Sequence, residues 1–416
     1  MSRKLLVDDR GKSKDPVHVQ RSRAWGRIRG LNNNQWFNLL VFFLAIYFFI
    51  IGIKLMGSGF KGFNELFGSG DSTFADILIG TVSNPLVGLC VGVFVTAVIQ
   101  SSSATTATVV AIVAVEPSFF PYAIPIVIGA NIGTSVTNII VSLGHIAHPP
   151  SFKRAFAGAL VHDFFNVLAA SLIFPMELLV KELTGKGFLE RAGDMTAGLF
   201  LGETGAELEL IDRVLGPVLD PLRDGIRSID LFLSWQYYMI IVGAVILFIA
   251  LNFITRAARK AIDGKVQKVV DRVLFRNAPT SFLFGAGLTS FVQSSSVTTS
   301  LAIPMVGGGI LSIRQIYPYT LGANIGTTVT ALLAAMAAQS TGVGAGGRMA
   351  LAISFVHLYF NISGILIFYP LKKVPIYLAN TVAGFMANNR KLAILFLLVV
   401  FFLIPGSIIL IDRFLF

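Results

Sequence analysis

A chain of 416 residues with 54% hydrophobic and only 13% charged side chains, and a mean hydropathy of +0.75, has more apolar surface than one soluble core can hide. The formal charge of +11 would suit a nucleic acid, but the basic residues cluster beside apolar segments, so a lipid bilayer and no nucleic acid is the expected partner. The single cysteine, Cys90, excludes an intrachain disulfide and most metal-cluster chemistry, and its apolar setting reads as a buried structural thiol.

Residues 1–30 carry nine Lys or Arg against three Asp ahead of the first apolar run, and read as a cytoplasmic basic segment without a cleavable signal peptide. Apolar stretches of near-spanning length at 36–56, 124–143 and 155–180, with one broken segment, make a first membrane half over 31–180. Residues 181–233 hold ten acidic against six basic side chains and read as an external loop. Stretches at 235–254 and 350–369, with a second broken segment, make a second half over 234–370. Residues 256–276, with seven basic against two acidic side chains, read as a cytoplasmic segment touching lipid headgroups. A C-terminal segment over 371–416 ends in the apolar stretch 392–411. Counting crossings leaves the C-terminus outside if that stretch spans.

The chain repeats itself. TAVIQSSSATTATVV from Thr96 returns as TSFVQSSSVTTSLAI from Thr289, and at the same offset of 193 residues GANIGTSVT from Gly129 returns as GANIGTTVT from Gly322. A third pair, VHDFFN from Val161 and VHLYFN from Val356, follows at an offset of 195. The helix from Trp36 leaves a basic segment, whereas its counterpart from Trp235 leaves the acidic loop and runs toward a basic one. The expected fold is therefore an all-α polytopic membrane protein of two inverted-topology repeats with broken or re-entrant helical hairpins, in the cell membrane with its N-terminus cytoplasmic. Such repeats are common in secondary transporters, whose sites lie near mid-membrane where the copies meet.

Gln100, Ser101, Ser102 and Ser103, with Gln293, Ser294, Ser295 and Ser296, put hydroxyls and amides where lipid penalises them. Four consecutive polar residues cannot share one helix face, so each helix is expected to break there. Pro85, Gly88 and Gly92 before one motif, and Pro279, Gly285 and Gly287 before the other, read as supporting the break. Two half-helix N-termini meeting from opposite sides would offer backbone donors and positive dipole ends to an anion, and a tetrahedral oxyanion fits. Carbonyls and hydroxyls of the same breaks, with Asn131, Thr134, Asn324 and Thr327, suit sodium. His162 and His357, each four residues before an Asn, read as interhelical hydrogen-bonding groups, and Asp163 adds one embedded acid. Serine and threonine also serve simply to join helices in membranes. No Gly-x-Ser-x-Gly elbow, His-Glu-x-x-His or Walker lysine is present, so neither an enzyme nor an ATP-driven pump is expected. An ion or anion channel stays open as an alternative, as does a symporter of another oxyanion; inverted duplication within one chain favours alternating access.

QSSSATTATVV, GANIGTSVTN, RAFAGALVHDFFN, QSSSVTTSLAIP, YPYTLGANIGTTVTALLAA and HLYFNISGILIFYP closely resemble the type II sodium-phosphate cotransporters over about residues 84–370. The resemblance implies sodium-coupled symport of inorganic phosphate, with the paired Gln-Ser-Ser-Ser segments as the substrate region. It implies sodium ligands among Gln293, Ser294, Thr134, Thr327 and Thr330, sodium as coupling ion and no cofactor. Vertebrate members have a longer, glycosylated and disulfide-linked loop between the repeats, whereas residues 181–233 hold neither cysteine nor an Asn-x-Ser/Thr sequon, which points to a prokaryotic-type member. The electrogenic members also resemble one another in an Asp before the RAFAGA segment, where this chain has only His145 and His148. Basic residues that often precede the Asn-Ile-Gly-Thr helices are replaced by Pro121 and Gln315.

Overall fold

The computed structural model describes residues 35–67, 74–200, 205–229, 232–262, 277–339 and 345–415, and among them every regular element is helical. The basic segment 1–30 and most of the basic stretch 256–276 lie outside the described residues. The first half comprises α1 (Gln35–Phe67), α2 (Phe74–Val82), α3 (Pro85–Ile99), α4 (Ser102–Val115), α5 (Phe120–Gly133), α6 (Ser135–Leu143) and α7 (Pro149–Thr184). Two amphipathic helices follow, α8 (Phe188–Phe200) and α9 (Gly205–Arg227). The second half comprises α10 (Trp235–Ile262), α11 (Ala278–Val292), α12 (Ser295–Gly307), α13 (Ile313–Ala338) and α14 (Ala345–Phe368). After it come α15 (Lys373–Asn388) and a last span built of α16 (Lys391–Leu398), a π turn and α17 (Ile404–Leu415).

Seven described helices are long and apolar enough to cross a bilayer. One of them, Ile313–Ala338, was missing from the apolar stretches read in the sequence: its hydroxyls and Asn324 dilute its hydropathy to 1.5. In contrast, α3, α4, α11 and α12 have 13 to 15 residues each, about 20 Å at the helical rise, and fall short of a hydrocarbon core of roughly 30 Å. They form two hairpins that enter and return. Ahead of the first, α2 turns by 89° into α3.

The counterparts α1 and α10 pack along each other with Gly52 against Gly243 and Leu247, Gly59 against Gln236 and Ile240, and Gly62 against Trp235. One number rises as the other falls, so the pair is antiparallel, as inversion of the two halves requires. Within each half the first arm of the hairpin lies parallel to the following long helix. Gly92 and Gly129 let α3 and α5 touch backbone to backbone: a Cβ on Gly92 would fall on the Ile126 carbonyl oxygen, and one on Gly129 on that of Leu89. Gly285 and Gly322 do the same for α11 and α13, against Tyr319 and Phe282. The glycines before the motifs were expected to help break the helices. They instead sit inside unbroken helices, where Gly88, Gly92 and Gly285 permit close crossing, the usual task of small residues in membranes, while Gly287 faces open space.

The two halves interlock. α8 leaves the first half to pack on α14 of the second, where Gly193 meets Ala352, Phe200 lies 5.3 Å from the Phe355 ring and Arg348 pairs with Asp194 at 2.7 Å. α15 returns the arrangement by packing on α7. On that helix Arg154 donates two hydrogen bonds to the Gly307 carbonyl, capping the end of α12. At one end of the last span Arg390 binds the Ile146 carbonyl, and at the other Asp412 accepts from Asn84 at the start of α3. The last span is thus fastened at one end to the α6–α7 connection and at the other to the start of α3.

Candidate functional site

Both hairpins turn on the Gln-Ser-Ser-Ser segment, in the same way. α3 ends at Ile99; Gln100 then takes φ 57° and ψ 30°, and its N–H still closes on the Thr96 carbonyl at 2.7 Å. Ser101 is extended, and its hydroxyl oxygen accepts from the Ala104 N–H at 3.2 Å, capping α4. In the second copy Gln293 takes φ 58° and ψ 25°, and Ser294 caps α12 by accepting from Val297 at 3.3 Å. These glutamines are the only non-glycine residues with positive φ among the described residues. A left-handed residue other than glycine costs about 1 kcal/mol or more. Keeping glutamine twice where glycine would serve the backbone better points to use of the side chain.

The hairpin tips meet. Ser103 donates to the main-chain carbonyl of Gln293 at 3.1 Å, and a cavity of about 360 Å³ opens between the tips. Gln100, Ser101, Gln293, Ser294 and Ser296 line it, with Thr137 from α6 and Asn252 and Thr255 from α10. Ser102, Ser103 and Ser295 stand behind the lining, at most 5% exposed. The two copies differ here: Gln100 is exposed at the mouth, whereas Gln293 is buried and its amide donates to the Ser290 carbonyl. Among the described residues, the polar groups lining the cavity are amides and hydroxyls, with no charged side chain. The first N–H groups of α4 and α12 lack intrahelical acceptors, and both helices begin at the tips. Such a cavity can attract an anion by backbone donors and dipoles, and can surround a cation with oxygen atoms.

Of the residues expected to hold sodium, Gln293 and Ser294 line the cavity and the others lie deeper. Thr134 and Thr327 each donate to the carbonyl four residues back, at 3.0 Å, and Thr330 is wholly buried with its hydroxyl unpartnered. Asn131 and Asn324 belong to a hydrogen-bonded belt joining the halves. His162 Nε2 donates to Asn324 Oδ1 at 2.7 Å, and Asn324 Nδ2 donates to Asn166 Oδ1 at 2.8 Å. From the other side, His357 Nε2 and Asn361 Nδ2 both donate to Asn131 Oδ1 at 3.3 Å. The belt continues through Asn138, which donates to His162 Nδ1 at 3.3 Å and accepts from Thr299 at 2.9 Å. Each histidine thus reaches an asparagine of the opposite copy, the interhelical role read from the sequence. Asp163 is 2% exposed, with Oδ1 unpartnered.

Three lining residues escaped the sequence reading. Thr137 is the counterpart of Thr330 at the offset of 193, so the repeat itself could have found it. Asn252 and Thr255 are isolated polar residues on an apolar helix and repeat nothing, so no pattern marked them.

No solved structure matches the chain. The sodium-dependent phosphate transport protein 2B of Homo sapiens is 32% identical over 447 residues, covering 87% of this chain and 63% of that protein. The 2A protein of Ovis aries is 33% identical over 431 residues, covering 87% of this chain and 66% of that protein. The chain thus spans less than two thirds of the length of its 2B relatives. A family model described as Na+/Pi-cotransporter matches residues 48–181 and 246–397, which take in both hairpins and both long helices that follow them, and the chain belongs to that family.

Proposed function

We propose that this protein is a sodium-coupled symporter that brings inorganic phosphate into the cell by alternating access, with phosphate held between the two Gln-Ser-Ser-Ser tips. The observation that carries this reading is the convergence of both left-handed glutamine breaks on one uncharged cavity. Phosphate would sit at Gln100, Ser101, Gln293, Ser294 and Ser296, facing the starts of α4 and α12, with Ser102, Ser103 and Ser295 contributing from behind. Sodium would use carbonyls and hydroxyls around Gln293 and Ser294, reaching inward to Thr134, Thr327 and Thr330 and to the belt at Asn131 and Asn324. A cation there offsets the phosphate charge across a short distance, so each ion raises the affinity of the other, which is the thermodynamic content of coupling. The protein would lie in the plasma or inner membrane, with the start of α1 cytoplasmic as the basic segment 1–30 indicates.

The test is phosphate uptake into proteoliposomes with and without an inward sodium gradient, for the wild type, Gln100→Ala and Gln293→Ala. Saturable uptake that needs the gradient and falls at least tenfold in each variant is expected. Uptake indifferent to sodium, or unchanged in both variants, overturns the reading.

A further inference from the structure

The cavity between the hairpin tips has an apolar neighbour. A second cavity of about 290 Å³ lies between α1, α10, α11 and α13, walled by Phe42, Ile46, Phe49, Ile50, Phe291 and Leu333 among others, and it shares Leu251 and Gln293 with the first. The first is edged by amides and hydroxyls. In the second only Ser290 and Gln293 are polar. Phe42 and Phe291 stack at 5.1 Å across α1 and α11, so this cavity lies beside a contact between the two halves. At roughly 30 Å³ for a water-sized group, 290 Å³ admits about ten such groups, a short hydrocarbon chain.

We propose that the joined cavities form one composite site for amphiphilic phosphate monoesters, with the anionic head between the hairpin tips and a linear alkyl tail in the apolar cavity. The proposal rests on the phosphate reading of the first cavity. Such a molecule acts as a blocker rather than as cargo. Its head competes with phosphate, and its tail, which the cargo lacks, holds the head at the hairpin tips by filling the apolar cavity. Gln293 sits at the junction: its buried side chain faces both compartments, so the head and the first methylenes of the tail meet there. The tail length is bounded by volume, with the gain ending near eight to ten carbons.

The experiment measures sodium-driven phosphate uptake by the full chain in proteoliposomes in the presence of ethyl, butyl, hexyl, octyl and dodecyl phosphate. Octanol serves as a tail without an anionic head. Each added methylene is expected to lower the half-inhibitory concentration about three- to fourfold, levelling off beyond octyl, while octanol leaves uptake unchanged. Ile46→Trp and Leu333→Trp fill the apolar cavity from α1 and α13; they are expected to keep phosphate uptake and lose at least tenfold of the octyl-over-ethyl gain. A flat series in the wild type overturns the proposal, as does equal inhibition by octanol. A gain that survives in both filled variants reports partition into the bilayer and also overturns it. Absence of phosphate uptake in the wild type removes the symport reading and this proposal together, whereas a flat series above intact uptake removes this one alone.

Discussion

Ser103, on the first hairpin, gives its hydroxyl proton to the main-chain oxygen of Gln293, the left-handed residue of the second. Its counterpart Ser296 faces the cavity instead. Ser103→Ala leaves a buried carbonyl without its donor, a loss of about 1–3 kcal/mol. Thermal unfolding in detergent is expected to shift down for Ser103→Ala, while Ser296→Ala holds its melting temperature and raises the phosphate concentration for half-maximal uptake. The reverse pattern would place Ser103 in the cavity.

Glycine separates backbone from side chain at Gln293. With φ at 58°, Gln293→Gly relieves about 1 kcal/mol of left-handed strain that Gln293→Ala retains. The glycine variant is expected to melt above the alanine variant, and both are expected to lose phosphate uptake. Uptake restored by glycine alone would show that only the turn matters.

Two glycines of α11, two positions apart, are expected to respond in opposite ways to alanine. At Gly285 a Cβ lands on the Tyr319 carbonyl oxygen, so the helices must part and lose more than about 2 kcal/mol. At Gly287 nothing lies within 4 Å, and the helix gains up to about 1 kcal/mol. Paired melting curves check this. Similar shifts at both positions would refute the close crossing of α11 and α13.

The belt joins the halves most directly through His162 and Asn324, at 2.7 Å. A double-mutant cycle of His162→Ala and Asn324→Ala, read by detergent unfolding, is expected to return a coupling of about 1 kcal/mol, near the upper range for hydrogen bonds within membranes. A coupling near zero would mean that the contact contributes no net stability.

Much of this was legible because the chain describes itself twice. The offset of 193 residues carries α3 onto α11 end to end, Pro85–Ile99 onto Ala278–Val292, and so marks both hairpins in the sequence. Run length could show that a helix breaks at four polar residues, but not that glutamine would take the left-handed corner, since that depends on how each tip meets the other. The glycines were misread because a small residue in an apolar run marks a break or a close approach alike; the four-residue spacing of Gly88 and Gly92 favoured approach. Asn252 and Thr255 became visible only when α10 was placed against the tips, a long-range fact with no local trace. The belt needed both: the His and Asn spacing was in the sequence, and their crossing partners were in the packing.

The interlock of α8 on α14 and α15 on α7 has a consequence for the order of synthesis. Phe156 on α7 rests 6.5 Å from the ring of Phe396, and α7 is covered by a helix that begins only at Lys373. When the ribosome has finished the first half, α7 still lacks its cover, which emerges some 200 residues later. The first half is therefore expected to stay incompletely packed until α15 has been made. Truncation before α15 is expected to leave the first half as prey for quality-control proteases even though its seven helices are all made.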